Sequence, residues 1–328
     1  MELIGYTCPY VPVELLAATG LKPYCLLHGD MQLAQEGEKY VRIDACPLVK
    51  SNLAYILNNQ KKFAAIVGTT GCDMIRRMFE VIDEMTKIPV YVLHNPRTDR
   101  PQIFYDEIEW LKNELEHLSH KNLTDEILGI EIERWEKARE QFRSLDHKRK
   151  ANPARVSTSY FHRASRNYYS GNPDISMDIQ ELISDKPRVY LIGSEITYES
   201  STLLELLEQK LNIVGDFACG LSQFLSISVR KKTFEGIKQA YYYQPSQIYK
   251  RPNKKYYDYI ESQLKARRCA GIIAWTLDYC DTYEFELRRM ERRFGVPLLK
   301  IRSNISFQNV SQLKTRISAF KEMLCSRS

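Results

Sequence analysis

Short aliphatic or β-branched runs alternate along this chain with stretches whose apolar residues recur every three to four positions, the pattern of βαβ units around mainly parallel sheets. In the first half Leu3–Tyr6, Tyr24–Leu27, Phe63–Gly68 and Val90–Leu93 predict strands, with Val13–Thr19, Leu48–Asn58 and Met74–Thr86 as helices between them. Two long helices are predicted next, over Gln102–His120 and Thr124–Lys148, the second capped by Thr124. A polar stretch containing Pro and Gly, Ser170–Pro187, then interrupts the pattern. Beyond it, strands are predicted at Val189–Gly193, Asn212–Phe217, Gly271–Thr276 and Leu298–Arg302, and helices at Thr202–Lys210, Asn253–Arg267, Tyr283–Phe294 and Ser311–Leu324. The expected fold is therefore α/β, with two doubly wound domains of the Rossmann or flavodoxin kind. One covers residues 1–183 with a long helical extension, the other residues 184–328. The halves share a layout without visible sequence identity.

Composition narrows the function classes. With 328 residues, 44% of them hydrophobic, and a mean hydropathy of −0.41, the chain can build two cores. Apolar runs such as Phe63–Gly68 and Ala270–Leu277 are far shorter than the roughly 20 residues a membrane helix needs. The amino terminus lacks a basic stretch followed by a long apolar one, so a cytoplasmic protein without disulfides is expected. The net charge of +6 is spread over helices that also carry acidic partners, and no recognition motif accompanies it, so neither nucleic acid nor membrane is expected as a partner. The densest basic stretches, Asp146–Arg155 and Lys250–Lys255, suit a nucleotide-like or coenzyme A phosphate better than a duplex. Glycines at 68, 71, 193, 215 and 220 never fall into GxGxxG or the GxxxxGK[ST] phosphate loop, which disfavours ordinary dinucleotide binding and ATP hydrolysis by this chain.

The candidate chemistry lies in the eight cysteines. Cys25 falls inside a predicted strand, Cys269 opens another and Cys325 is near the end, which suits small core or inert residues. Cys8, Cys46, Cys72, Cys219 and Cys280 fall at strand ends or turns, and Cys72 and Cys280 each precede an aspartate where a strand hands over to a helix. In doubly wound sheets ligands bind beyond the carboxyl ends of the strands, where Cys72 and Cys280 are placed. On spacing alone, buried structural thiols still outweigh an iron–sulfur or metal site, because no CxxC pair occurs.

Several segments, taken in order, resemble the 2-hydroxyacyl-CoA dehydratase family, which also holds benzoyl-CoA reductase subunits and double-cubane-cluster proteins. GYTCPYVPVELLAATGLKP (Gly5–Pro23) resembles its amino-terminal signature. DACPLVKSNL (Asp44–Leu53), GTTGCDMIRRMFE (Gly68–Glu80) and AGIIAWTLDYCD (Ala270–Asp281) resemble its three cluster-cysteine segments. GDFACG (Gly215–Gly220) is similar to a mid-chain turn, and QLKTRISAFKEML (Gln312–Leu324) to the closing helix.

This resemblance implies a [4Fe–4S] cluster held by Cys46, Cys72 and Cys280 near the junction of the domains, with a double-cubane [8Fe–9S] cluster as the alternative. Three protein ligands leave one iron open. It further implies loss of water from a 2-hydroxyacyl-CoA through a ketyl radical. The alternatives are a double-cubane reductase of small molecules or a non-catalytic partner subunit. Expected partners are an acyl-CoA, a homologous subunit or a second copy, and a separate ATP-hydrolysing iron–sulfur activator. Glu14, within the amino-terminal signature, becomes the candidate catalytic residue, with a partly exposed helix residue as the competing reading. Cys8 would line the pocket without ligating iron, and Arg316 would meet a carboxylate or phosphate, or form a structural salt bridge.

Overall fold

The computed structural model describes residues 2–173, 183–305 and 310–326; most of the stretch read as the domain boundary, 174–182, lies outside the described residues. Strands β1 (Leu3–Tyr6), β2 (Lys22–Cys25), β3 (Phe63–Thr69) and β4 (Val90–Leu93) form a parallel sheet in the order β2-β1-β3-β4. Strands β5 (Arg188–Gly193), β6 (Asn212–Phe217), β7 (Gly271–Leu277) and β8 (Leu298–Ser303) form a second one in the order β6-β5-β7-β8. The two orders are the same when each lobe's strands are counted from its own start, so the shared layout of the halves is a shared topology. Each order reverses beside the lobe's first strand, between β1 and β3 and between β5 and β7, which is where a doubly wound sheet opens a crevice for a ligand.

Helices α1 (Val13–Ala18), α2 (Met31–Gly37), α3 (Pro47–Asn58) and α4 (Asp73–Met85) belong to the first lobe. After β4 come α5 (Pro101–Ser119), α6 (Asp125–Lys150) and α7 (Thr158–Tyr169), and the second lobe carries α8 (Ser201–Glu208), α9 (Phe234–Tyr242), α10 (Lys254–Ala266), α11 (Asp281–Phe294) and α12 (Val310–Cys325). Thr124 caps α6 as expected, its side chain accepting from the Ile127 amide. The α6 positions Leu128, Ile132, Trp135, Phe142 and Leu145 make a buried stripe at helical spacing. Through it one hydrophobic core continues from Leu27 and Val67 of the first lobe to Leu191 and Trp275 of the second.

Three helices escape the sequence pattern. α7 buries Thr158, Ser159, His162 and Ser165 along with Phe161, Tyr168 and Tyr169, so its inward face mixes polar with apolar side chains and hides the helical period. α2 and α9 are only seven and nine residues long. β2 begins at Lys22, two residues before the expected start, and takes in Pro23. β2 is an edge strand, and an edge can spare the amide that proline lacks.

His162 ties α7 to the second lobe by donating from Nε2 to the Thr197 carbonyl at 2.9 Å, and burial lowers its pKa to about 4. The folded pKa lies below the unfolded one, so the neutral imidazole's stability contribution is complete above about pH 6.5 and is lost as pH falls toward 4. The loss amounts to about 3 kcal/mol. Denaturant titrations between pH 7 and 4 should show this loss in the wild type and a flatter profile in His162→Gln.

Candidate functional site: a cysteine-lined cavity between the lobes

Each of the three segments carrying Cys46, Cys72 and Cys280 turns into a helix at the cysteine itself. Cys46, Cys72 and Cys280 are the N-cap residues of α3, α4 and α11, and their carbonyls accept the first helical bonds from Lys50, Arg76 and Glu284. A helix start presents unpaired amides and the positive end of the helix dipole, so an anionic group gathered there is favoured. Close packing fixes where these helices begin. A Cβ on Gly68, at the end of β3, would fall 1.8 Å from the Phe79 ring of α4. Tyr279, just before Cys280, holds φ at +63°, a left-handed backbone unusual for a bulky side chain, and it faces the cavity.

All three thiols line one cavity of about 400 Å³ between the lobes. Cys8, after β1, and Cys219, after β6, line it as well. Cys8 was expected in the pocket, and here it lies among Thr69 and Tyr249, with burial pushing its thiol up to about 11. Cys25 ends β2 fully buried, Cys269 precedes β7, and Cys325 is exposed on α12; none of the three lines the cavity.

Two clasps hold the lobes around the cavity. On one side the segment after β5 grips the first lobe: Tyr198 OH donates to the Cys25 carbonyl at 2.8 Å, and Glu199 Oε2 accepts the Gly29 amide at 2.6 Å. On the other side the Arg251 amide donates to the Arg97 carbonyl at 2.5 Å, and Lys250 Nζ donates to the Pro96 carbonyl at 2.6 Å. Arg97 and Arg251 both line the cavity with exposed side chains, which puts one of the two basic stretches at the site. The other stretch is structural: Arg149 is fully buried and donates to Asp216 Oδ2 at 2.7 Å and to Asp146 Oδ1 at 2.7 Å.

Glu14 is placed elsewhere. It is fully buried on α1, accepts from Arg139 Nη2 at 2.5 Å and from Tyr241 OH at 2.7 Å, and is absent from the cavity lining. The geometry makes it one half of an internal ion pair joining α1 to α6, outside the cavity that holds the cysteines. Arg316 is exposed and donates to the Lys300 carbonyl, so it likewise takes a local structural part.

Sequence reasoning passed over Glu195. It follows Gly193 and Ser194 at the carboxyl end of β5, at the second lobe's crevice, and it lines the cavity. Its position at the switch point marks it only once the strand order is known. Gly193 is required there: its φ is +135°, and a Cβ would meet the Trp275 carbonyl oxygen at 1.7 Å.

The donor set fits a polynuclear group better than a lone ion. Among the described residues no three His, Cys, Asp or Glu side chains lie together as ligands of a single metal ion. In an iron–sulfur cubane each thiolate binds its own iron, so thiols spread around one cavity suit the cluster where they fail the ion. Burial, followed by the charge of Glu195, pushes the Cys280 thiol up to about 12. Burial also raises Cys46 and Cys72. These thiols are therefore protonated near neutral pH. Among the described residues, three further lining residues, Thr7, Gln223 and Gln247, carry the buried polar atoms Oγ1, Nε2 and Nε2 without a hydrogen-bond partner, which leaves them able to bond a polar ligand.

Fold and site together define a two-lobed parallel α/β protein with a thiol-rich interlobe cavity. The chain belongs to the family described as 2-hydroxyglutaryl-CoA dehydratase, D-component, whose pattern matches residues 8–324. It is 23% identical to the (R)-phenyllactyl-CoA dehydratase beta subunit of Clostridium sporogenes over 344 residues, covering 98% of this chain and 92% of that one. It is also 21% identical over 357 residues to YjiM of Escherichia coli (strain K12), whose name proposes a dehydratase subunit; 99% of this chain and 92% of YjiM are covered. No helix among the described residues is long and apolar enough to cross a membrane.

Proposed function

We propose that this chain is the iron–sulfur subunit of an enzyme that removes water from a 2-hydroxyacyl-CoA, with Cys46, Cys72 and Cys280 holding a [4Fe–4S] cluster. The observation that carries the reading is the convergence of three helix-capping cysteines on one cavity, in a chain of dehydratase type. When bound, the cluster would supply a single low-potential electron and one iron that no thiolate holds. That chemistry suits a β-proton of low acidity, against which side-chain acids and bases alone offer only roughly 10² to 10⁴ in rate.

The chain's own residues bind, orient and exclude water. Leu48, Val49, Phe217 and Ile248 give the cavity apolar walls for an acyl chain. Gln223 and Gln247 have free amide donors for a thioester or hydroxyl oxygen. Arg97, whose guanidinium makes no hydrogen bond or ion pair among the described residues, stands with Arg251 at the exposed rim, where coenzyme A phosphates would lie. A homologous subunit or second copy and a separate ATP-hydrolysing activator complete the reading, the latter because this chain has no phosphate loop.

The test is dehydration of a panel of 2-hydroxyacyl-CoA thioesters by anaerobically reconstituted protein with its partner and activator. Enoyl-CoA formation supports the reading. Stable iron with no turnover of any thioester would overturn it in favour of a reductase or a non-catalytic subunit, and iron near eight per chain would select the double cubane. Within the reading, Arg97→Glu should weaken acyl-CoA binding roughly tenfold, measured by calorimetry, with little change for the acyl group free of coenzyme A.

A further inference from the structure

Glu195 is a carboxylate with no counter-charge. Among the described residues its side chain forms no ion pair and no hydrogen bond to another residue; its only partner is its own backbone amide. The two cations that line the same cavity do not reach it: Arg251 donates to the Ile248 and Lys250 carbonyls and approaches Glu286, and Arg97 makes no ion pair at all. The backbone on either side of Glu195 is pinned. The Ser194 amide donates to the Trp275 carbonyl at 2.8 Å, Ser194 Oγ accepts the Leu277 amide at 3.0 Å, and the Ile196 amide donates to the Cys219 carbonyl at 2.8 Å. The carboxylate is thus held at a fixed place in the cavity wall.

That place is among the sulfurs. Glu195 lines the same cavity as Cys46, Cys72, Cys280 and Cys8. Burial raises its pKa. A carboxylate with no ion-pair partner among the described residues, fixed in one cavity wall with three thiols, is a place where positive charge entering the cavity is favoured.

We propose that Glu195 is the oxygen donor this chain supplies to the iron that the three thiolates leave without a protein ligand. The proposal rests on the cluster reading given above and adds a fourth, chemically different ligand to it. A hard carboxylate in an otherwise soft thiolate set is the exchangeable member, so the site is closed at rest and can be opened. Glu195 sets which external ligands reach that iron and at what concentration.

The test compares anaerobically reconstituted wild type, Glu195→Gln and Glu195→Ala, using imidazole as the external ligand. Iron and acid-labile sulfide are measured first, circular dichroism checks the fold, and the reduced cluster is followed by electron paramagnetic resonance and Mössbauer spectroscopy as imidazole is added. The expected result is iron in all three proteins, a changed spectrum for the iron lacking a thiolate in both variants, and a response to imidazole at a concentration at least tenfold lower in Glu195→Ala than in wild type. Folded variants that lose one iron while keeping sulfide would also support the assignment. Wild type and both variants with iron, the same spectra and the same imidazole titration would overturn the Glu195 assignment and leave the three-cysteine cluster intact. Iron-free wild type would overturn the cluster reading and this assignment together.

Discussion

Glu14→Ala should lower the stability of the fold by about 3–5 kcal/mol, the usual cost of breaking a buried ion pair from one side. The alanine leaves Arg139 fully buried beside Tyr168 and Tyr241, with Glu136 as its remaining carboxylate partner at 2.6 Å. Tyr241 OH, which donates to Glu14 and accepts the Val13 amide at 3.1 Å, loses its acceptor in the same step. Arg139→Met should cost a similar amount, since it strands the Glu14 carboxylate in the core. The double variant Glu14→Leu/Arg139→Met removes both charges and should recover much of the loss, as replacement of a buried pair by apolar side chains commonly does. Urea denaturation of the four proteins checks this. A catalytic Glu14 would instead give single variants of wild-type stability that lack activity, with no recovery in the double variant.

The second large effect concerns the thiols. Cys46→Ala, Cys72→Ala and Cys280→Ala should each lose most of the bound iron after anaerobic reconstitution, because in the proposed function the three sulfurs hold one cluster and none of the neighbouring thiols sits at a corresponding helix start. Cys25→Ala, at a fully buried strand end outside the cavity, should retain it. Cys8→Ala separates lining from ligation: Cys8 shares the cavity, yet it follows β1 in a loop and caps no helix. It should keep its iron. Equal losses from Cys25→Ala and Cys280→Ala would mean that iron content tracks folding, with no specific ligation behind it.

The strands were legible because buried parallel strands read as short continuous apolar runs. All eight expected strands overlap the observed ones, three with identical bounds and five with bounds shifted by one or two residues. Cys72 and Cys280 were legible for a related reason. Each stands where such a run ends and a helix begins, and in a doubly wound sheet that position alone implies the crevice. The convergence of Cys46 with them was not legible from spacing, since it depends on how α3 packs in the first lobe and how the two lobes are clasped. The ion pair of Glu14 was not legible: its place in the amino-terminal signature suggested chemistry, while its partner Arg139 lies 125 residues away in a helix whose charged face seemed solvated. Arg139 and Arg149 occupy positions in the buried stripe of α6 where the periodicity alone predicts apolar residues. Glu195 went unread because no motif marks it. Only the second sheet's strand order, the same as the first sheet's, shows that the end of β5 corresponds to the Cys8 loop after β1.

The most direct test is the iron and acid-labile sulfide content of the wild-type protein, with its visible absorption, after expression with ample iron and anaerobic purification. A brown protein with about four iron atoms and matching sulfide per chain is the predicted result. Colourless, iron-free protein under those conditions would contradict the claim that Cys46, Cys72 and Cys280 are gathered to hold a cluster.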